Sequence, residues 1–196
     1  MSYPLIKVPS FANKSFYDFS KVEGKEYMKW FLGIQNERLN ILENNIRIIQ
    51  NSWKADYSKG SLITLYSWFT NNVAFVKQNQ SSLKEIQNQI SITPEYSDII
   101  PLPENSLSPE TVSICFDAGL YLGETLIHNI QTLMWVQNLS SINYIDYAQP
   151  LIGEKGNKVS INPRRIAESI ALRILENEPP VTFETIYEKW AVEFSN

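Results

Sequence analysis

A chain of 196 residues with 43% hydrophobic and 19% charged residues can bury a full core and lies far from disordered composition. Its net charge of -4 and pI near 5.1 argue against non-specific nucleic-acid binding, which needs a surplus of Lys and Arg facing phosphates. One cysteine and one histidine exclude a disulfide framework, a cysteine-based zinc site and a His-x-x-x-His zinc helix, so neither metal nor cofactor is expected.

The opening MSYPLIKVPSF has no basic segment leading into a long apolar run, and no later stretch approaches the roughly 20 apolar residues of a spanning helix, so a soluble, cytoplasmic protein is expected. The Asn-x-Ser triplets at Asn13, Asn79 and Asn138 then read as chance matches to a glycosylation pattern. Pro4 and Pro9 with Phe11, Phe16, Tyr17 and Phe19 predict an extended arm held to the body by its aromatics. Ser20 and Glu23 stand at capping-box spacing and start a helix running from Val22 to about Gln50, with Gly33 as its weak point. Its apolar stripe is Tyr27, Trp30, Phe31, Ile34, Ile41, Leu42, Ile46 and Ile49.

The turn DYSKGS (residues 56–61) leads into a second helix with Leu62, Leu65, Tyr66, Phe69, Val73 and Val76 on one face. So short a connection predicts an antiparallel helical hairpin. Leu83, Ile86 and Ile90 keep helical spacing and predict a shorter helix over 80–92. Pro94, Pro101, Pro103 and Pro109 bar a helix between 93 and 109, the best internal boundary. Ser108, Pro109 and Glu110 then supply an N-cap, a first-position proline and a first-turn carboxylate for a central helix over 108–130.

After it the pattern turns to short aromatic and β-branched runs at 133–137, 144–152 and 158–161, a small antiparallel sheet with Pro150 at an edge or strand end. Asn162-Pro163 and Thr182 start two C-terminal helices. The fold expected is α+β and mainly helical: one domain over 1–196, with a helical half (1–93), a Pro-rich connector (94–109) and a mixed helix and sheet half (110–196).

Steps of four, three and four from Asp117 put Tyr121, Glu124 and His128 on one helical face, where carboxylates and an imidazole could transfer protons or serve a binding site. The ordinary reading is an i, i+4 surface pair of Glu124 with His128, and backbone satisfaction by Asp117. Gly119 and Gly123 mark close approach of another element, the sheet or the first hairpin. Cys115, between Ile114 and Phe116, reads as a buried hydrophobe. Of the five tryptophans, Trp68 falls off its helix's main stripe and is the candidate for an exposed binding anchor. Arg164 and Arg165 stand at a helix start, which disfavours cations, and are expected to reach a carboxylate such as Glu124 or Glu154.

The stretches KEYMKWFLGIQNERLNIL, DYSKGSLITLYSWF and FDAGLYLGETLIHN, followed by the Trp135 strand, QPLIG and INPRRIA, resemble a loosely defined group of small, mostly uncharacterised cytosolic bacterial proteins. Some of that group are immunity proteins encoded beside secreted toxins. The resemblance spans about residues 20–175, and its motifs are structural rather than catalytic. It implies a non-enzymatic protein that occludes a toxin or effector, with the acidic balance steering a basic partner. The alternatives are a hydrolase or transferase built on Asp117, Glu124 and His128, and a structural subunit of a homo-oligomer.

Overall fold

The computed structural model describes residues 2–77, 105–156 and 159–194. Ser20 closes both halves of a capping box with Glu23, satisfying two orphan backbone donors, and α1 runs unbroken over Lys21–Ile49 through Gly33. Before it, Phe11 packs edge to face on Phe19, and Phe16 and Phe19 each pack edge to face on Tyr27, burying Phe19 and Tyr27. Ser58 caps α2 (Lys59–Thr70), and the connection from α1 is pinned by buried Trp53, whose indole N–H donates to the Ser61 carbonyl at 3.3 Å.

Two short strands that no sequence pattern marks, β1 (Phe75–Lys77) and β2 (Asn105–Leu107), pair antiparallel. Thr111 secures this clip, accepting from the Ala74 N–H at 2.8 Å while its hydroxyl donates to the Ala74 carbonyl at 3.1 Å. The helix expected over 80–92 and most of the expected connector lie outside the described residues.

Ser108 accepts from the Thr111 N–H and Pro109 takes the first helical position of α3 (Pro109–Asn129). Fourteen of its residues, from Thr111 to Leu126, are buried, so α3 is covered on nearly every side. The second sheet has the order β3-β4-β5 (Leu133–Gln137, Pro150–Glu154, Ser160–Ile161), antiparallel, with Trp135 opposite Ile152 and Ile152 opposite Ile161. Pro150 opens its strand, where a missing N–H costs least.

The strand expected over 144–152 is shorter than its composition implied. Turn hydrogen bonds link Tyr144 to Ser141, Tyr147 to Tyr144 and Gln149 to Asp146, and buried Ala148 adopts φ 60, a left-handed conformation that ends an extended run. Asn162 and Thr182 cap the last helices, α4 (Pro163–Leu175) and α5 (Phe183–Glu193).

The two glycines of α3 each admit a neighbour. A Cβ on Gly119 would stand 2.7 Å from the Arg164 backbone, so α4, not the sheet or the first hairpin, crosses α3 there. A Cβ on Gly123 would stand 2.6 Å from the Trp135 ring, so the sheet packs one turn later. α2 lies chiefly against α5 and α3, joined to α5 by Phe69 and Phe183 edge to face. The architecture is α+β and mainly helical, with five α-helices and two small antiparallel sheets among the described residues.

Candidate functional site

The face of α3 that carries Asp117, Tyr121, Glu124 and His128 does not converge on one pocket: Asp117 meets α1 and the arm, Tyr121 and His128 both meet Tyr57, and Glu124 meets β3. Asp117 is fully buried and receives a two-pronged contact from Arg38 of α1, Nε to Oδ1 and Nη2 to Oδ2, both at 2.8 Å. The Tyr3 hydroxyl donates to the same Oδ2, and Arg38 Nη2 also reaches the Pro4 carbonyl at 3.1 Å. Burial pushes the Asp117 carboxyl up to about 6 against the opposing pull of Arg38, and it holds the Tyr3 phenol well above its ordinary value. Neither partner is marked by the helical spacing of α3. Arg38 had left a signal, since it lies seven residues after Phe31 and four before Leu42 on the buried stripe, where a cation needs a counter-ion.

One turn on, the buried Tyr121 hydroxyl accepts from the Tyr57 N–H at 2.9 Å and shares a 2.6 Å hydrogen bond with Ser61 Oγ. Burial pushes its phenol up to about 12. Glu124 accepts from Trp135 Nε1 at 2.7 Å, tying α3 to β3. His128 lies half-exposed with its ring flat on Tyr57, centroids 3.8 Å apart, and its Nδ1 2.9 Å from the Glu124 carbonyl oxygen. Its nearest carboxylate contact is 3.9 Å, from Nδ1 to Glu124 Oε2. The Asp117, Glu124 and His128 side chains thus serve three separate contacts: an interior ion pair, a helix-to-sheet tie and a surface stack.

Trp68 is buried at 6% exposure, with its ring centroid 5.8 Å from that of Tyr3, which corrects its reading as an exposed anchor. The off-stripe position exists because the N-terminal arm covers that side of α2. Cys115 is fully buried, which pushes its thiol up and leaves it unreactive. Among the described residues no group of three His, Cys, Asp or Glu could hold a metal ion.

Arg164 and Arg165 reach neither Glu124 nor Glu154. Arg164 Nε donates to Glu168 Oε1 and Arg165 Nη1 to Asp146 Oδ1, both at 2.8 Å, because the crossing at Gly119 sets the first turn of α4 beside the 141–149 turns. Both arginines line an open groove of about 580 Å³ between α4 and the arm, with Lys14, Tyr17 and Ile145 among its other walls. A second open groove, of about 670 Å³, lies along β3, β4 and the residues after β3, with Val136, Leu139 and Tyr144 in its lining. The cavity enclosed between α1, α3 and α4 holds only about 20 Å³, the room of one water molecule.

No family model, curated protein or solved structure matches the chain.

Proposed function

We propose that this chain is a binding protein that acts by covering part of a partner protein, as an immunity protein covers its toxin. The observation that carries the reading is the contrast between α3 and the surface. The polar side chains of α3 that could have formed a reaction centre are held in structural contacts, while the surface carries two wide open grooves, one of them rimmed by exposed apolar residues such as Tyr17 (46%) and Ile145 (56%). Such rims suit a protein surface better than a small substrate that must be surrounded. The resemblance to immunity proteins supports the same class of partner. A net charge of -4 favours an encounter with a basic toxin or effector at long range.

The test is co-expression with the product of the adjacent gene. The expected results are a stable complex on size exclusion with light scattering, and growth restored to cells that the neighbour alone arrests. A neighbour that neither binds the chain nor is neutralised by it would overturn the reading.

A further inference from the structure

We propose that the groove between α4 and the N-terminal arm docks an extended, locally acidic peptide segment of an otherwise basic partner protein, a segment that sets an apolar side chain beside its carboxylates; this rests on the binding-protein reading and gives it a chemistry. In a chain with more acids than bases, this groove is lined by three cations, Lys14, Arg164 and Arg165, against one carboxylate, Glu168. The carboxylates that hold Lys14 and Arg165, Glu23 and Asp146, lie outside the lining.

The cations keep capacity for a second acceptor. A guanidinium carries five N–H donors in a flat fork, and Asp146 engages Nη1 of Arg165, whose side chain stays 42% exposed. Arg164 is engaged by Glu168 through Nε, also interacts with the Tyr27 side chain, and stays 35% exposed. Both are also fixed in place. Gly119 seats the Arg164 backbone on α3, and the Asn162 side chain donates to Asp146 at 2.8 Å, so the acid that orients Arg165 is itself oriented.

The rim supplies the apolar half of the match. Tyr17 and Ile145 are joined by a 3.2 Å hydrogen bond from the Tyr17 hydroxyl to the Ile145 carbonyl, and with Val8 they expose side chains along the groove. A carboxylate-bearing strand with an aliphatic or aromatic residue satisfies both halves. A nucleic acid would find the cations too, but the aliphatic rim residues Val8 and Ile145 match an apolar side chain rather than a sugar-phosphate backbone.

The groove is tested with fluorescence anisotropy on three labelled probes: a decapeptide of glutamates with one leucine and one tyrosine, the same peptide with lysines for glutamates, and a ten-residue oligothymidylate. The glutamate peptide should bind the full chain, more weakly as salt rises, and the other two should not. Arg165→Gln combined with Lys14→Gln should weaken that binding about tenfold, the equivalent of about 1.4 kcal/mol. Tyr17→Ser, on a different element, should weaken it while far-ultraviolet dichroism stays unchanged. Arg47→Gln is the control; at about 1.5 Å per residue it stands about 30 Å from Tyr27 along α1, and it should leave binding unaltered. Equal binding of the lysine peptide, tighter binding of the oligonucleotide, no binding of the glutamate peptide, or indifference to the groove variants would overturn the assignment. If the glutamate peptide fails while the neighbour still binds and is neutralised, the groove falls and the inhibitor reading stands. If the peptide binds but the neighbour does not, the reverse holds.

Discussion

Arg38 and Asp117 are a buried ion pair whose worth lies in being complete. Removing two charges from water costs more than most single contacts return, so the pair adds little against an apolar replacement, but breaking it leaves one charge stranded. Arg38→Met should therefore destabilise the protein by about 3–5 kcal/mol, read as a lower urea midpoint at pH 7. The double variant Arg38→Met with Asp117→Leu should recover much of that loss; no recovery would mean that the side chains matter for shape rather than charge. Glu23 shows the opposite electrostatics at the surface. Hydrogen bonds from Lys14 and from Ser20 hold its carboxyl down at about 2, against an ordinary 4.5. A lowered folded-state value means that the stabilisation is complete above pH 4.5 and is lost as pH falls through 2, because protonation then favours the unfolded chain. Thermal melts between pH 5 and 2 should show a decline that Glu23→Gln makes shallower; equal slopes would remove the capping carboxylate as its source. Asp117 could be singled out in the sequence for its helical spacing with Glu124 and His128. Its partners could not, because Tyr3 lies 114 residues away and no local spacing encodes that meeting.

Among the elements, those that announce themselves by chemistry at their ends were legible in advance. Ser20 with Glu23, Ser108 with Pro109, Asn162 with Pro163, and Thr182 all stand where the helices begin, since capping depends on three or four neighbouring residues. Strand ends and strand pairing were less so. The 144–152 run carries β-favouring Tyr and Ile, yet turns and Asp146's contacts with Asn162 and Arg165 override that preference. β1 and β2 are three residues each and gain their identity only from each other. The glycines separate two roles that look alike in the sequence. Gly33 has nothing within 4 Å of an added Cβ, so Gly33→Ala should stabilise α1 by about 0.5–1 kcal/mol through helix propensity alone. Gly119→Ala drives a methyl into the backbone of α4 and should cost about 1–3 kcal/mol. Chemical denaturation of both variants checks the pair; shifts of the same sign would mean that the helix crossing at Gly119 is not tight.

On the scale of the whole molecule, α3 is the post on which the arm, both flanking helices and the second sheet are assembled, a role its capping, glycines and apolar content already indicated. What the sequence left unread is the surface. Whether a tryptophan is covered and where cations gather depend on how elements stack: Trp68 goes inward because the arm covers it, and Arg164 faces the groove because α4 crosses at a glycine. The arm carries one more consequence, for synthesis. Its anchors on α3 span the chain: Tyr3 to Asp117, and the Ile6 N–H to Ser113 Oγ at 3.0 Å, 107 residues apart. A ribosome delivers the arm about a hundred residues before α3, so Tyr3 and Ile6 must wait undocked until the helix that receives them has emerged, while Phe16 and Phe19 can already pack on Tyr27 of α1. Within the arm, the contacts of Tyr3 and Ile6 with α3 thus form later than the packing of Phe16 and Phe19 on α1.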